Sequence, residues 1–162
     1  MKPFRRRGAD LVATLERDES AVFALLLDQL EQLLTADEAQ ADEQAVVSRL
    51  FPDGHRSDAA LAADFRDLTR DALAAGKVDD LATVRATLPA DGGPLRLDAD
   101  QAGAWLRTSN DLRLALGTRL EVGPDTEPPD VVRTEADQQL VVYYWLTSVQ
   151  GSLVDALAAG RP

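Results

Sequence analysis

The stretch LRLDADQAGAWLRTSNDLRLAL, residues 95–116, constrains the fold more than any other part of the chain. Leu95 and Leu97 alternate with polar neighbours, as in a half-buried strand. Asp98 followed three residues later by Gln101 forms a capping box, the start signal of a helix, and Leu97 with Ala102 forms a hydrophobic staple. Trp105, Leu106, Leu112, Leu116 and Leu120 then recur at helical spacing. A strand must therefore run straight into a helix over 98–121, and both must bury one side.

The rest of the chain divides into similar pieces. KPFRRR and LVATLE, separated by Gly8 and Asp10, read as a β-hairpin. Leu11, Ala13 and Leu15 share one face of the second run. In the first, Phe4 and Arg6 share a face and Arg5 and Arg7 point the other way. A helix follows, with Val22, Leu25, Leu26, Gln29, Leu30, Leu33 and Leu34 as its stripe. Asp18 and Glu19 sit in its first turn, where the dipole favours anions. A short helix near 43–50 ends at FPDGH, because Pro52 and Gly54 break regular structure. Ser57 caps the next helix, striped by Leu61, Phe65, Leu68 and Leu73. Gly76 weakens it, and Val78, Leu81, Val84 and Leu88 mark a separate short helix. After the loop GPDTEPPD, Thr134 and Asp137 box the last helix, striped by Leu140, Val142, Trp145, Leu146, Val149, Leu153 and Leu157. Tyr143 and Tyr144, being adjacent, point in different directions, which puts one at the surface or in an interface.

The expected fold is mainly α: a single-domain helical bundle over 1–162 with a two- or three-stranded β-ribbon at about 3–7, 11–15 and 94–97. At 162 residues, folding removes roughly 70% of the surface of the unfolded chain, so a real core is available. No apolar run approaches the length needed to span a bilayer, and the basic start is not followed by an apolar segment of signal-peptide type. The expected location is the cytoplasm.

Charge is strongly uneven. Lys2, Arg5, Arg6 and Arg7 give residues 1–7 a charge of +4, while the whole chain carries −11, so the other 155 residues carry −15. Such a field repels phosphate backbones and favours basic partners, except at the N-terminal strand. DNA contact is expected to be weak or indirect. Arg6, beside Phe4, is expected to reach an acid of the body, Asp111 or Glu16.

Several chemistries are excluded. With no cysteine there is no disulfide, thiol switch, Cys nucleophile or Cys-type zinc site. The sole histidine, His55, lies in a loop signal with no G-x-S-x-G elbow anywhere. Neither G-x-x-x-x-G-K-[ST] nor G-x-G-x-x-G occurs. The pairs Asp37–Glu38 and Asp79–Asp80 match no EF-hand spacing. No catalytic, cofactor or metal residue is assigned. The polar set Arg107, Asn110, Asp111 and Arg113 interrupts an apolar helix. Arg107 and Asp111 are spaced to pair along it, and Asn110 with Asp111 suits a cap or a buried polar contact to the hairpin. With Arg5 and Arg7 these four are the candidate partner-binding residues.

PFRRRG, LFPDGHRSD, FRDLT and above all AWLRTSNDLRLALGTRL resemble an actinobacterial family catalogued as domain of unknown function 2017. The resemblance runs from Pro3 to Leu157. It implies a non-enzymatic role in oxidative-stress transcription, oxidant sensing through cysteines, and action with a sigma factor. A chain without cysteine has no thiol with which to sense. The leading reading is a cytoplasmic regulator or adaptor that docks on a protein of the transcription apparatus, needs no cofactor and touches no membrane. A homodimer stays among the partners considered. The alternatives are a direct DNA binder using the N-terminal arginines, and a small-molecule binder or enzyme with an unrecognised site.

Overall fold

The computed structural model describes residues 1–36, 43–52 and 61–160, apart from the side chains of 61–66. His55 and the Ser57 cap lie outside the described residues, as do Asp37 and Glu38. Among the described residues, three strands and five helices follow in the order β1 (Lys2–Arg7), β2 (Asp10–Leu15), α1 (Arg17–Thr35), α2 (Gln44–Leu50), α3 (Leu61–Thr87), β3 (Gly93–Leu97), α4 (Ala99–Arg119) and α5 (Glu135–Ala158). The fold is mainly α with a small antiparallel sheet in the order β1-β2-β3.

The hairpin closes at Gly8, whose φ of +67° is the left-handed conformation that favours glycine. Leu11 pairs with Leu97 and Ala13 with Leu95, so the period-two leucines of β2 and β3 form one buried face. β1 joins that face through Phe4 alone. Before β3 the chain turns through Gly92, at φ +76°. A Cβ there would stand 2.7 Å from the backbone nitrogen of Arg17, so both conformation and space demand glycine.

Helix α4 is the hub, packing against α1, α2, α3, α5 and the sheet. Its Asp98 box is formed: the Gln101 backbone N–H donates to Asp98 Oδ1 at 2.8 Å, and the Asp98 N–H to Gln101 Oε1 at 3.0 Å. The Thr134–Asp137 box at α5 is formed too. There the backbone N–H groups of Arg133 and Thr134 hold the Asp137 carboxyl below its usual pKa. A third box opens α1, where the Glu16 N–H donates to Glu19 at 2.7 Å.

Aromatic rings tie these elements together. Phe23 of α1 lies 5.0 Å from Trp105 of α4 and 5.2 Å from Trp145 of α5, ring centre to ring centre. Phe4 of β1 meets Trp105 edge-on at 5.8 Å. Phe23 and Trp105 are fully buried. The Trp105 indole N–H donates to the Thr87 hydroxyl at 2.8 Å, joining α4 to the end of α3.

Three expectations are corrected. The stripe of α1 is rotated: Phe23, Leu27, Leu30, Leu33 and Leu34 are buried, and Leu25 is 57% exposed. Fitting Phe23 between two tryptophans sets that rotation. Residues 61–87 form one helix, not two. Glycine in a helix interior costs only about 0.5–1 kcal/mol relative to alanine, and Leu81 and Val84, both fully buried, anchor the half beyond Gly76. Leu68 and Leu73 lie outside the described core: they are 71% and 46% exposed.

Thr87→Val keeps the shape but leaves the Trp105 N–H buried without an acceptor. It should lower stability by about 1–3 kcal/mol, read from urea denaturation. An unchanged midpoint would contradict the role given to this bond.

Candidate partner-binding site

Pro3 sits in the strand and disrupts its register. Lys2 pairs with Thr14 and Arg5 with Val12, so two residues of β1 bulge opposite one of β2. The bulge turns Phe4 inward and brings Lys2, Arg5 and Arg7 to the same outward face. All three are exposed and have no ion pair among the described residues. Val12 and Thr14 form the middle of that face, and Arg96, paired with Val12, its far side. Asp10 accepts from Arg96 and is the acid within the patch. Strict alternation separates Arg5 from Lys2; the signal for the bulge is Pro3, which cannot donate to the ladder.

Arg6 takes the other side. It reaches neither Asp111 nor Glu16. Its guanidinium lies against Gly160, just past the end of α5, where a cation meets the negative end of the helix dipole. Nearby, the Phe4 N–H donates to Ser152 Oγ at 3.3 Å, so α5 lies along β1.

The four polar residues of α4 lie along its two seams. On the α3 side, Arg107 grips Asp80 with two bonds of 2.7 Å, which raise its pKa further. Asp111 accepts from Lys77 through both oxygens at 2.8 Å. Arg107 and Asp111 therefore do not pair with each other. A bidentate guanidinium–carboxylate contact is stronger than an exposed pair along one helix. On the α5 side, Asn110 accepts from Gln150 at 3.1 Å, not from the hairpin. The Arg113 guanidinium stands 6.0 Å from the Tyr143 ring centre, and its Nε is buried without a partner. Tyr143 reaches this seam because Gly117 leaves room: a Cβ there would sit 2.8 Å from the ring.

Asp111 is only 6% exposed, and burial pushes its pKa up. Lys77 opposes the shift and Asp80 adds to it. Lys77 and Gln150 escaped sequence reasoning, and Asp80 was weighed only as a carboxylate pair with Asp79, since nothing local announces which residues of α3 and α5 face α4.

Among the described residues, no group of three His, Asp or Glu side chains could hold a metal ion. No helix among them is long and apolar enough to cross a membrane. A family model described as domain of unknown function DUF2017 matches residues 1–157. A Mycobacterium leprae protein named for the oxidative stress regulator AosR is 34% identical over 171 residues, covering 94% of this chain and 75% of that protein. The oxidative stress regulators AosR of Mycobacterium tuberculosis and Mycobacterium bovis are each 32% identical over 153 residues, covering 83% of this chain and 68% of theirs. No solved structure matches.

The raised pKa of Asp111 fixes the sign of a pH effect. A carboxyl whose folded pKa exceeds its unfolded value binds more protons when folded. Its contribution to stability is then greatest in acid and declines as pH rises from the unfolded value toward the folded one. The stability of the parent chain relative to Asp111→Asn should therefore fall as pH rises from about 3.9, the value of an unperturbed Asp, measured by thermal denaturation. A relative stability that rises over that range would mean Lys77 dominates instead.

Proposed function

The chain belongs to the DUF2017 family, and from that premise we propose that it is a non-enzymatic, cytoplasmic, stress-linked regulator acting through protein–protein contacts. The observation that carries this reading is the outward face of the sheet: Lys2, Arg5 and Arg7 stand unpaired on a chain of net charge −11. Exposed cations on an acidic body serve an acidic partner surface best, because complementary charge speeds encounter and fixes orientation. The partner proposed is a protein of the transcription apparatus, such as a sigma factor. Arg107, Asn110 and Asp111 tie α4 to α3 and α5 and lie apart from that face, and Arg113, partly exposed beside Tyr143, is the remaining cation of the candidate set.

Two features weigh against direct nucleic-acid binding, one for duplexes and one for single strands. Three or four phosphate contacts supply little affinity beside the six to ten of a committed binder. The one aromatic of β1, Phe4, points into the core, so the sheet lacks the stacking platform that single-strand binders use. Without cysteine, the stress link of this chain does not run through a thiol switch of its own.

Arg5→Glu with Arg7→Glu should weaken capture of the native partner roughly tenfold or more and remove most of its salt dependence, measured by pull-down and titration across ionic strengths. Peroxide treatment of this chain alone should leave capture unchanged; a loss restored by thiol reductant would refute that. Anisotropy with promoter duplex at physiological salt should show binding near 10⁻⁴ M, the non-specific range. Sub-micromolar duplex binding abolished by Arg5→Ala with Arg7→Ala would replace the protein-partner reading with direct DNA binding.

A further inference from the structure

The outward face of the sheet has a profile as well as a charge. Its outer strands carry long side chains there, and its middle strand short ones. On β1, Lys2, Arg5 and Arg7 stand opposite Thr14, Val12 and Asp10 of β2. On β3, Pro94 and Arg96 stand opposite Thr14 and Val12. Lys2, Arg5, Arg7, Pro94 and Arg96 are exposed, whereas Val12 and Thr14 are half-buried. A trough therefore runs along β2. Thr14 and Val12 are its floor, the three cations one wall, and Pro94 with Arg96 the other. Arg96 reaches from beside Val12 to the Asp10 carboxylate, and this pair closes one end of the trough.

We propose that the trough binds an extended acidic segment of the partner protein, with a carboxylate at every second residue. The proposal rests on the reading of this face as the docking surface, and adds the conformation and pattern of what docks. Width selects the conformation. Neighbouring strands lie about 4.8 Å apart, so the two walls stand about 10 Å apart from backbone to backbone, and their side chains narrow the gap. A helix with its side chains is about 10–12 Å across and cannot reach the floor. A single extended chain can.

Spacing selects the pattern. The three cations face successive same-side positions of β2, so they form one row with a step of about 6.7 Å. An extended chain repeats its side chains on one side at the same step. Acids at positions i, i+2 and i+4 thus meet Lys2, Arg5 and Arg7 in turn. The residues between them turn toward Pro94 and the floor, where short side chains fit. The row is also graded. Asp10 stands opposite Arg7 and offsets part of its charge, while Lys2 and Arg5 face Thr14 and Val12. An incoming carboxylate therefore gains more at Arg5 than at Arg7.

Two synthetic probes test this: a fluorescent octapeptide alternating Glu and Ser, and its isomer with the four Glu together. Their charge is the same, but the isomer puts only two acids on one side of an extended chain. In anisotropy titrations at low salt, the alternating peptide should bind the parent chain about threefold tighter, the value of one exposed ion pair. Val12→Trp keeps every charge and fills the floor with a residue that strands favour. It should bring the two peptides to equal affinity with unchanged circular dichroism. Arg5→Glu should cost more than Arg7→Glu, and Asp10→Asn should tighten binding. Equal affinity of the two peptides for the parent chain would overturn the proposal, and that comparison needs no variant. So would a preference that survives Val12→Trp, or no binding of either peptide at about 1 mM. If native-partner capture still falls with Arg5→Glu and Arg7→Glu in that event, the docking face stands and only the trough fails.

Discussion

The position of Phe23 between Trp105 and Trp145 is the contact on which the rest of the structure depends. Only eight residues of the chain are aromatic. Four of them, Phe4, Phe23, Trp105 and Trp145, form a continuous set reaching from β1 through α4 and α1 to α5. Each ring belongs to a different element, so each ring contact fixes two elements at once. Losing any ring would open a cavity at a junction, where no single side chain could collapse to fill it. The rotation of α1 and the inward position of Phe4 on β1 accord with where these rings meet.

The polar side chains obey that arrangement. Once Trp105 points into the core and donates to Thr87, α3 lies along one flank of α4 and α5 along the other. Arg107 and Asp111 fall on the first flank, one helical turn apart, where Asp80 and Lys77 answer them. Asn110 falls on the second, opposite Gln150. The cationic strand is governed by the same packing: Phe4 enters the core only because the bulge at Pro3 turns it there, and the bulge is what collects Lys2, Arg5 and Arg7 outside.

Local signals in the sequence were legible where the structure is decided locally. The capping boxes at Asp98 and Thr134 and the alternation of Leu11, Ala13, Leu15, Leu95 and Leu97 depend on residues a few positions apart, and each element stands where they put it. Questions decided by a distant neighbour were not legible. Helical spacing says that Leu25 and Leu68 lie on apolar stripes, but not whether another element faces them. The i, i+4 spacing of Arg107 and Asp111 says that they can pair, but not that α3 offers each a better partner. For the candidate surface, the arginines were visible as a run. Their grouping with Lys2 and Arg96 needed the bulge and the pairing of β2 with β3.

The cationic strand and the last helix are mechanically one unit. β1 lies along α5, joined by Phe4 and Ser152 at one point and by Arg6 and Gly160 at another. That bears on a difficulty with the basic face: three exposed cations give modest affinity, and each exposed ion pair contributes only about 0.2–1 kcal/mol. A strand held by the core through Phe4 and by α5 through Arg6 keeps Lys2, Arg5 and Arg7 in one register, so docking orders side chains and not backbone, and less of the gain is spent on ordering.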